Sequence, residues 1–140
     1  MIKKYNIFEN YLKSDAKGYK IGKYVYHITP ERYLNSILKY GFKLHTGGTT
    51  NLENIYEPRL YFTTSLIAAY DLAVNFSSFR EEQHIIFKVK SNCIKDYEED
   101  ELFPHGIYVE YPVNKDCIIE YYNQDDFFDK FDEDDIENLY

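Results

Sequence analysis

The chain has no tryptophan, one methionine, four prolines, six glycines and two cysteines in 140 residues. Each scarcity closes off a class. Six scattered glycines form neither a G-x-G-x-x-G turn nor a P-loop, so a bound nucleotide would not sit in the usual glycine-rich cradle at a helix N-terminus. Cys93 and Cys117 each lie in an apolar run, with no C-x-x-C and no ligand cluster beside them. They are expected as buried free thiols. No His, Cys or Asp spacing resembles a metal site, so no metal is expected. Stretches long and apolar enough to cross a bilayer are missing, and Met1-Ile2-Lys3-Lys4-Tyr5-Asn6 has no apolar leader core. The expectation is a soluble, cytoplasmic protein without membrane contact. Basic residues are nowhere dense enough to mark a nucleic-acid footprint.

Aromatic residues and acids are abundant instead. Sixteen Tyr and ten Phe supply one good core, and Tyr suits walls that are apolar in the body and wet at the tip. The net charge of −8 is concentrated at one end: residues 124–140 hold eight acids against Lys130. The rest of the chain is close to neutral. One domain over 1–123 and an acidic C-terminal tail over 124–140 follow. Phe127, Phe128 and Phe131 have the spacing of an apolar helix stripe, which would let the tail dock as a helix.

Along the chain, a short helix is expected around Ile7–Leu12 and a strand over Tyr24–Ile28. Thr29 caps a helix with Pro30 at its first position, apolar Tyr33, Leu34, Ile37 and Leu38 on one side, and Gly41 as its stop. Residues 45–58 lack periodicity and read as a long loop. A strand at Arg59–Thr63 leads into a helix capped by Thr64 or Ser65 and running to about Phe76. Strands then follow at His84–Val89, Gly106–Tyr111 and Cys117–Tyr122. Helices early and sheet late make an α+β domain, unlike the alternation of doubly wound folds.

Three segments, in order, resemble the ADP-ribosyltransferase superfamily. Tyr26-His27-Ile28-Thr29 followed by Ser36-Ile37-Leu38-Lys39-Tyr40-Gly41 is similar to the His-Ile-Thr strand and following helix of DNA-modifying DarT-type toxins. Leu60-Tyr61-Phe62-Thr63, followed by Ala68-Ala69-Tyr70, resembles a stretch of poly-ADP-ribose polymerases. Phe103-Pro104-His105-Gly106-Ile107-Tyr108-Val109 resembles a segment in the C-terminal half of RNA 2′-phosphotransferases. The likeness spans roughly residues 23–122. It implies a single small domain with a split antiparallel sheet, using NAD as substrate to modify a macromolecule, protein or nucleic acid, as phage- or toxin-type effectors do.

Under that resemblance His27 hydrogen-bonds a ribose hydroxyl, and the backbone at Ile28 and Thr29 clamps the nicotinamide carboxamide. Tyr61 stacks on the cationic ring, a contact of about 0.5–2 kcal/mol, and Tyr70 adds a second wall. Arg59 offers a fork to phosphate, with Arg80 a second arginine of that kind. Glu110 supplies the carboxylate that stabilises an oxocarbenium-like transition state. Departures exist. Ile28 stands where glycine is commoner, and the polymerase register puts the catalytic position at His105 or Gly106, where no acid stands. His27 and Tyr61 belong on adjacent central strands facing one cleft; side chains on opposite sheet faces, or a separation beyond about 15 Å, would sink the resemblance. His45 and His84 read as a loop residue and a strand-edge residue. Two other readings stand beside the enzyme: a degenerate transferase fold serving as a binding module, and an acidic inhibitor whose tail imitates a phosphate backbone to occupy a nucleic-acid-binding partner.

Overall fold

A computed structural model describes residues 21–44, 58–100, 103, 105–130 and 135. The expected Ile7–Leu12 helix, His45 and nearly all of the 45–58 loop lie outside these residues. Strands β1 (Tyr24–Pro30), β2 (Leu60–Thr63), β3 (His84–Lys90), β4 (Glu98–Glu99), β5 (Gly106–Val109) and β6 (Ile118–Tyr122) form one sheet in the order β4-β5-β2-β1-β3-β6. Every pairing is antiparallel. Helices are α1 (Leu34–Tyr40), α2 (Leu66–Arg80) and the single turn α3 (Phe127–Lys130). The expected α+β class is what the chain forms.

Period-two burial explains the central strands. Tyr24, Tyr26 and Ile28 alternate with Val25, His27 and Thr29, and each set meets its own core. One face packs Tyr24, Tyr26, Ile28, Ile86 and Tyr122 under Leu66, Ile67, Ala69 and Ala73 of α2, joined by Phe127 of α3. The opposite face packs Val25, Phe62, Ile85, Phe87, Val89 and Ile107 against Ile37 of α1, Phe42 and Val113. A sheet buried on both sides needs near-continuous apolar strands, which is why His84–Val89 reads as it does.

Local signals were mostly obeyed. The Ser65 hydroxyl caps α2 by accepting from the Ala68 amide at 3.2 Å. Gly41 ends α1 at φ 80°, and its amide donates to the Ile37 carbonyl at 2.8 Å. Thr29 is no helix cap. Pairing between β1 and β3 runs through Pro30–His84, holding Thr29 extended, and a 3-10 turn at Glu31–Tyr33 precedes α1. Strand β4 was not foreseen.

One expectation fails outright. Cys93 and Cys117 are disulfide-bonded, with Cα atoms 6.2 Å apart. Neighbouring antiparallel strands produce this: the turn after β3 and the turn before β6 meet at the Val89–Ile118 end of the ladder. Disulfides persist mainly in oxidising compartments, so the bridge runs against a cytoplasmic setting. Part of the C-terminal stretch packs on the domain. Phe127 is buried between Tyr70 and Tyr122, and Asp135 is 0% exposed. Among the described residues no helix is long and apolar enough to cross a membrane.

Candidate ligand site

Strand register decides which functional side chains can meet. Tyr26 lies opposite Thr63 on β2, so Tyr26, Thr63 and Tyr61 share the α2-side face. His27 shares the other face with Phe62. Its ring sits 4.8 Å from Phe42 and 5.6 Å from Phe62, inside the α1-side core. His27 and Tyr61 are therefore on adjacent central strands, as expected, but their side chains point to opposite faces. That arrangement removes the expected shared cleft and sinks the resemblance as drawn from this pair.

The two residues nonetheless touch. His27 Nδ1 lies 2.6 Å from the Tyr61 carbonyl oxygen. A carbonyl only accepts, so Nδ1 carries the proton and donates. Tyr26–Thr63 is the one register pair between β1 and β2. Past it, toward Ile28 and Tyr61, the two strands form no further register pair, leaving an opening where the imidazole bonds the Tyr61 carbonyl. Ile28 and Thr29, expected at a carboxamide clamp, border this opening with buried side chains.

A second group gathers on β2 and β5. Tyr61 lies opposite Tyr108, their ring centroids 5.8 Å apart. One step beyond the Leu60–Val109 pair, Arg59 and Glu110 fall on the same face. The Arg59 guanidinium lies 4.2 Å over the Tyr108 ring. Its hydrogen bond with Tyr61, with smaller help from the charges of Tyr108, Tyr61 and Glu110, raises its pKa further against the opposing pull of burial. Arg59 Nε is buried with no hydrogen-bond partner among the described residues. Helix α2 packs chiefly on β1 and β3 and less on β2, so Tyr61 and Tyr108 remain half-buried and Glu110 exposed.

Beside Tyr108, a shallow recess of about 200 Å³ is lined by Asp96, Glu98, Tyr108, Val109, Glu110 and Tyr111. Dinucleotide pockets are larger, roughly 300–1,000 Å³. This one has room for a single ring at most, and its three carboxylates would favour a cationic one. Among the described residues no group of three or more His, Cys, Asp or Glu is placed to hold a metal ion.

The remaining candidates sit elsewhere. Tyr70 packs its ring 4.5 Å from Phe127 and 5.4 Å from Phe128, inside the α2–α3 contact. Arg80 stacks 4.6 Å over Phe76 at the far end of α2, its pKa lowered by burial. His105 is buried at φ 63° in the turn before β5, and its carbonyl accepts from the Thr64 amide at 2.9 Å. His84 is buried in the core margin and not at a wet strand edge. Sequence reading undervalued Tyr108, Asp96 and Glu98. The i, i+2 alternation of Tyr108 with Glu110 was visible, whereas the pairing of β5 with β2 and β4 was not. Comparison with protein-family models gives no match for this chain, and comparison with curated proteins gives no relative.

Proposed function

We propose that the protein is an NAD-dependent mono-ADP-ribosyltransferase acting on a macromolecule, with its site on the α2-side face of β2 and β5. One observation carries the reading: Arg59, Tyr61, Tyr108 and Glu110 converge there on a surface that α2 leaves largely uncovered. NAD joins a cationic aromatic ring to an anionic diphosphate. Tyrosine walls and carboxylates suit the first, and a guanidinium with an unused buried donor suits the second. When NAD is bound, its nicotinamide is the leaving group. Glu110 holds negative charge beside the ribose as positive charge develops there, and Tyr61 and Tyr108 orient the ring. His27 acts as a positioning residue here, fixing the Tyr61 backbone from the other face.

The opposite-face placement of His27 favours a second reading, a transferase-like fold kept as a binding module without turnover. Thermal melts with NAD separate binding from none. A ligand at a hundredfold its Kd stabilises by about 2.7 kcal/mol. Tyr61→Ala is expected to abolish that shift while the unliganded protein stays folded, since Tyr61 is only half-buried. No shift at millimolar NAD would favour the binding module over the transferase. A shift without nicotinamide release would leave the module.

A further inference from the structure

Away from that site, the α2-side face holds a second built feature. Tyr26 on β1, Lys88 on β3 and Tyr122 on β6 aim three donors at one point. Tyr26 Oη donates to Asp135 Oδ1 at 2.6 Å, while Lys88 Nζ and Tyr122 Oη donate to Oδ2, each at 2.9 Å. Lys88 is 1% exposed and Asp135 0%. Glu120, opposite Lys88 on β6, lies 3.1 Å from the same ammonium. Tyr24 lies under it, its ring centroid 4.5 Å away.

The donors come from three neighbouring strands whose register is set by the sheet, independently of residue 135. The acceptor comes from the acidic C-terminal stretch, 109 residues from Tyr26 in sequence. We infer that Tyr26, Lys88 and Tyr122 form a carboxylate-binding socket preorganised by the sheet, and that Asp135 is its built-in ligand, latching the C-terminal stretch to the fold. Geometry supports recognition of a carboxylate in particular. Both oxygens are engaged, one by a hydroxyl and the other by a hydroxyl and an ammonium, which fits a two-oxygen anion. Losing Asp135 leaves the Tyr26 and Tyr122 hydroxyls and the buried Lys88 ammonium without the carboxylate they converge on, even with Glu120 beside Lys88, so a vacated socket takes up a replacement anion.

The test uses the full-length chain with formate as probe and chloride at equal ionic strength as control. Asp135→Gly empties the socket and should lower Tm by about 10 °C. Formate should then raise the Tm of Asp135→Gly saturably, beyond chloride, and leave the unaltered protein unmoved. Limited proteolysis should cut Asp135→Gly beyond residue 123 faster than the unaltered chain, with formate restoring protection. If Asp135→Gly does not fold alone, folding on addition of formate supports the socket. Failure to fold in formate overturns it. The Lys88→Met/Asp135→Leu pair, which replaces the ion pair by apolar groups, should fold without responding to formate. An unchanged Tm in Asp135→Gly, or equal effects of formate and chloride, overturns the inference. None of these readouts involves NAD.

Discussion

Acid should weaken the fold in part through His84. Its imidazole is 1% exposed, and its Nδ1–H donates to the Glu82 carbonyl at 2.8 Å. Nε2 is buried without a partner among the described residues. Burial, then the nearby charges of Arg80 and Arg32, lower its pKa from 6.5 to about 4. The unfolded chain thus takes up this proton first. Stability from keeping His84 neutral is complete above pH 6.5 and is lost as the pH falls toward 4. Linkage gives a loss of about 2 kcal/mol between pH 7.5 and 5, and at most about 3 kcal/mol below pH 4. Carboxylates and other histidines titrate in the same range, so the comparison must be with a variant. His84→Asn keeps a donor near Nδ1 and removes the titration. Urea unfolding at pH 7.5 and 5.0 should show the unaltered protein losing about 2 kcal/mol more than His84→Asn across that interval. Equal losses would refute the reasoning.

Three further outcomes follow from the packing. Ending the chain at Asn123 removes Phe127 and takes the Asp135 carboxylate from the buried Lys88 ammonium; urea unfolding should show a loss of at least about 3–5 kcal/mol. Gly41→Ala should destabilise by more than about 1 kcal/mol in the same assay, because a Cβ there would come 2.6 Å from the Val113 carbonyl at a φ of 80°. Intact mass before and after reduction should reveal the Cys93–Cys117 bridge, and reduction should cost about 3 kcal/mol from the freed loop between them; an unchanged mass contradicts the pairing.

Much of the sheet was legible because its strands are strongly patterned. His84–Val89 and Tyr24–Ile28 announce themselves by β-branched and aromatic runs, and Ser65 and Gly41 mark helix ends through short-range chemistry. What stayed hidden was long-range. Which strands neighbour one another fixes the disulfide, puts Tyr61 beside Tyr108, and turns His27 and Tyr61 to opposite faces. No local window contains that. Lys88 was a missed signal: a lysine inside an apolar strand implies a buried partner. Its partner, Asp135, lay within a cluster of acids that composition alone reads as solvated surface. For the site, residue types at Arg59, Tyr61 and Glu110 were legible, whereas Tyr70 was drawn into the core by Phe127 and Phe128.

The central claim is turnover of NAD at the β2–β5 site, and nicotinamide release from NAD measures it directly. The unaltered protein should release nicotinamide. Glu110→Gln should slow release on the order of 10²–10³-fold, the usual cost of losing one preorganised charge, while retaining the NAD-induced rise in Tm. His27→Ala should also slow release, by loosening the Tyr61 strand. Release that ignores Glu110, or no release from a protein that binds NAD, would contradict the account.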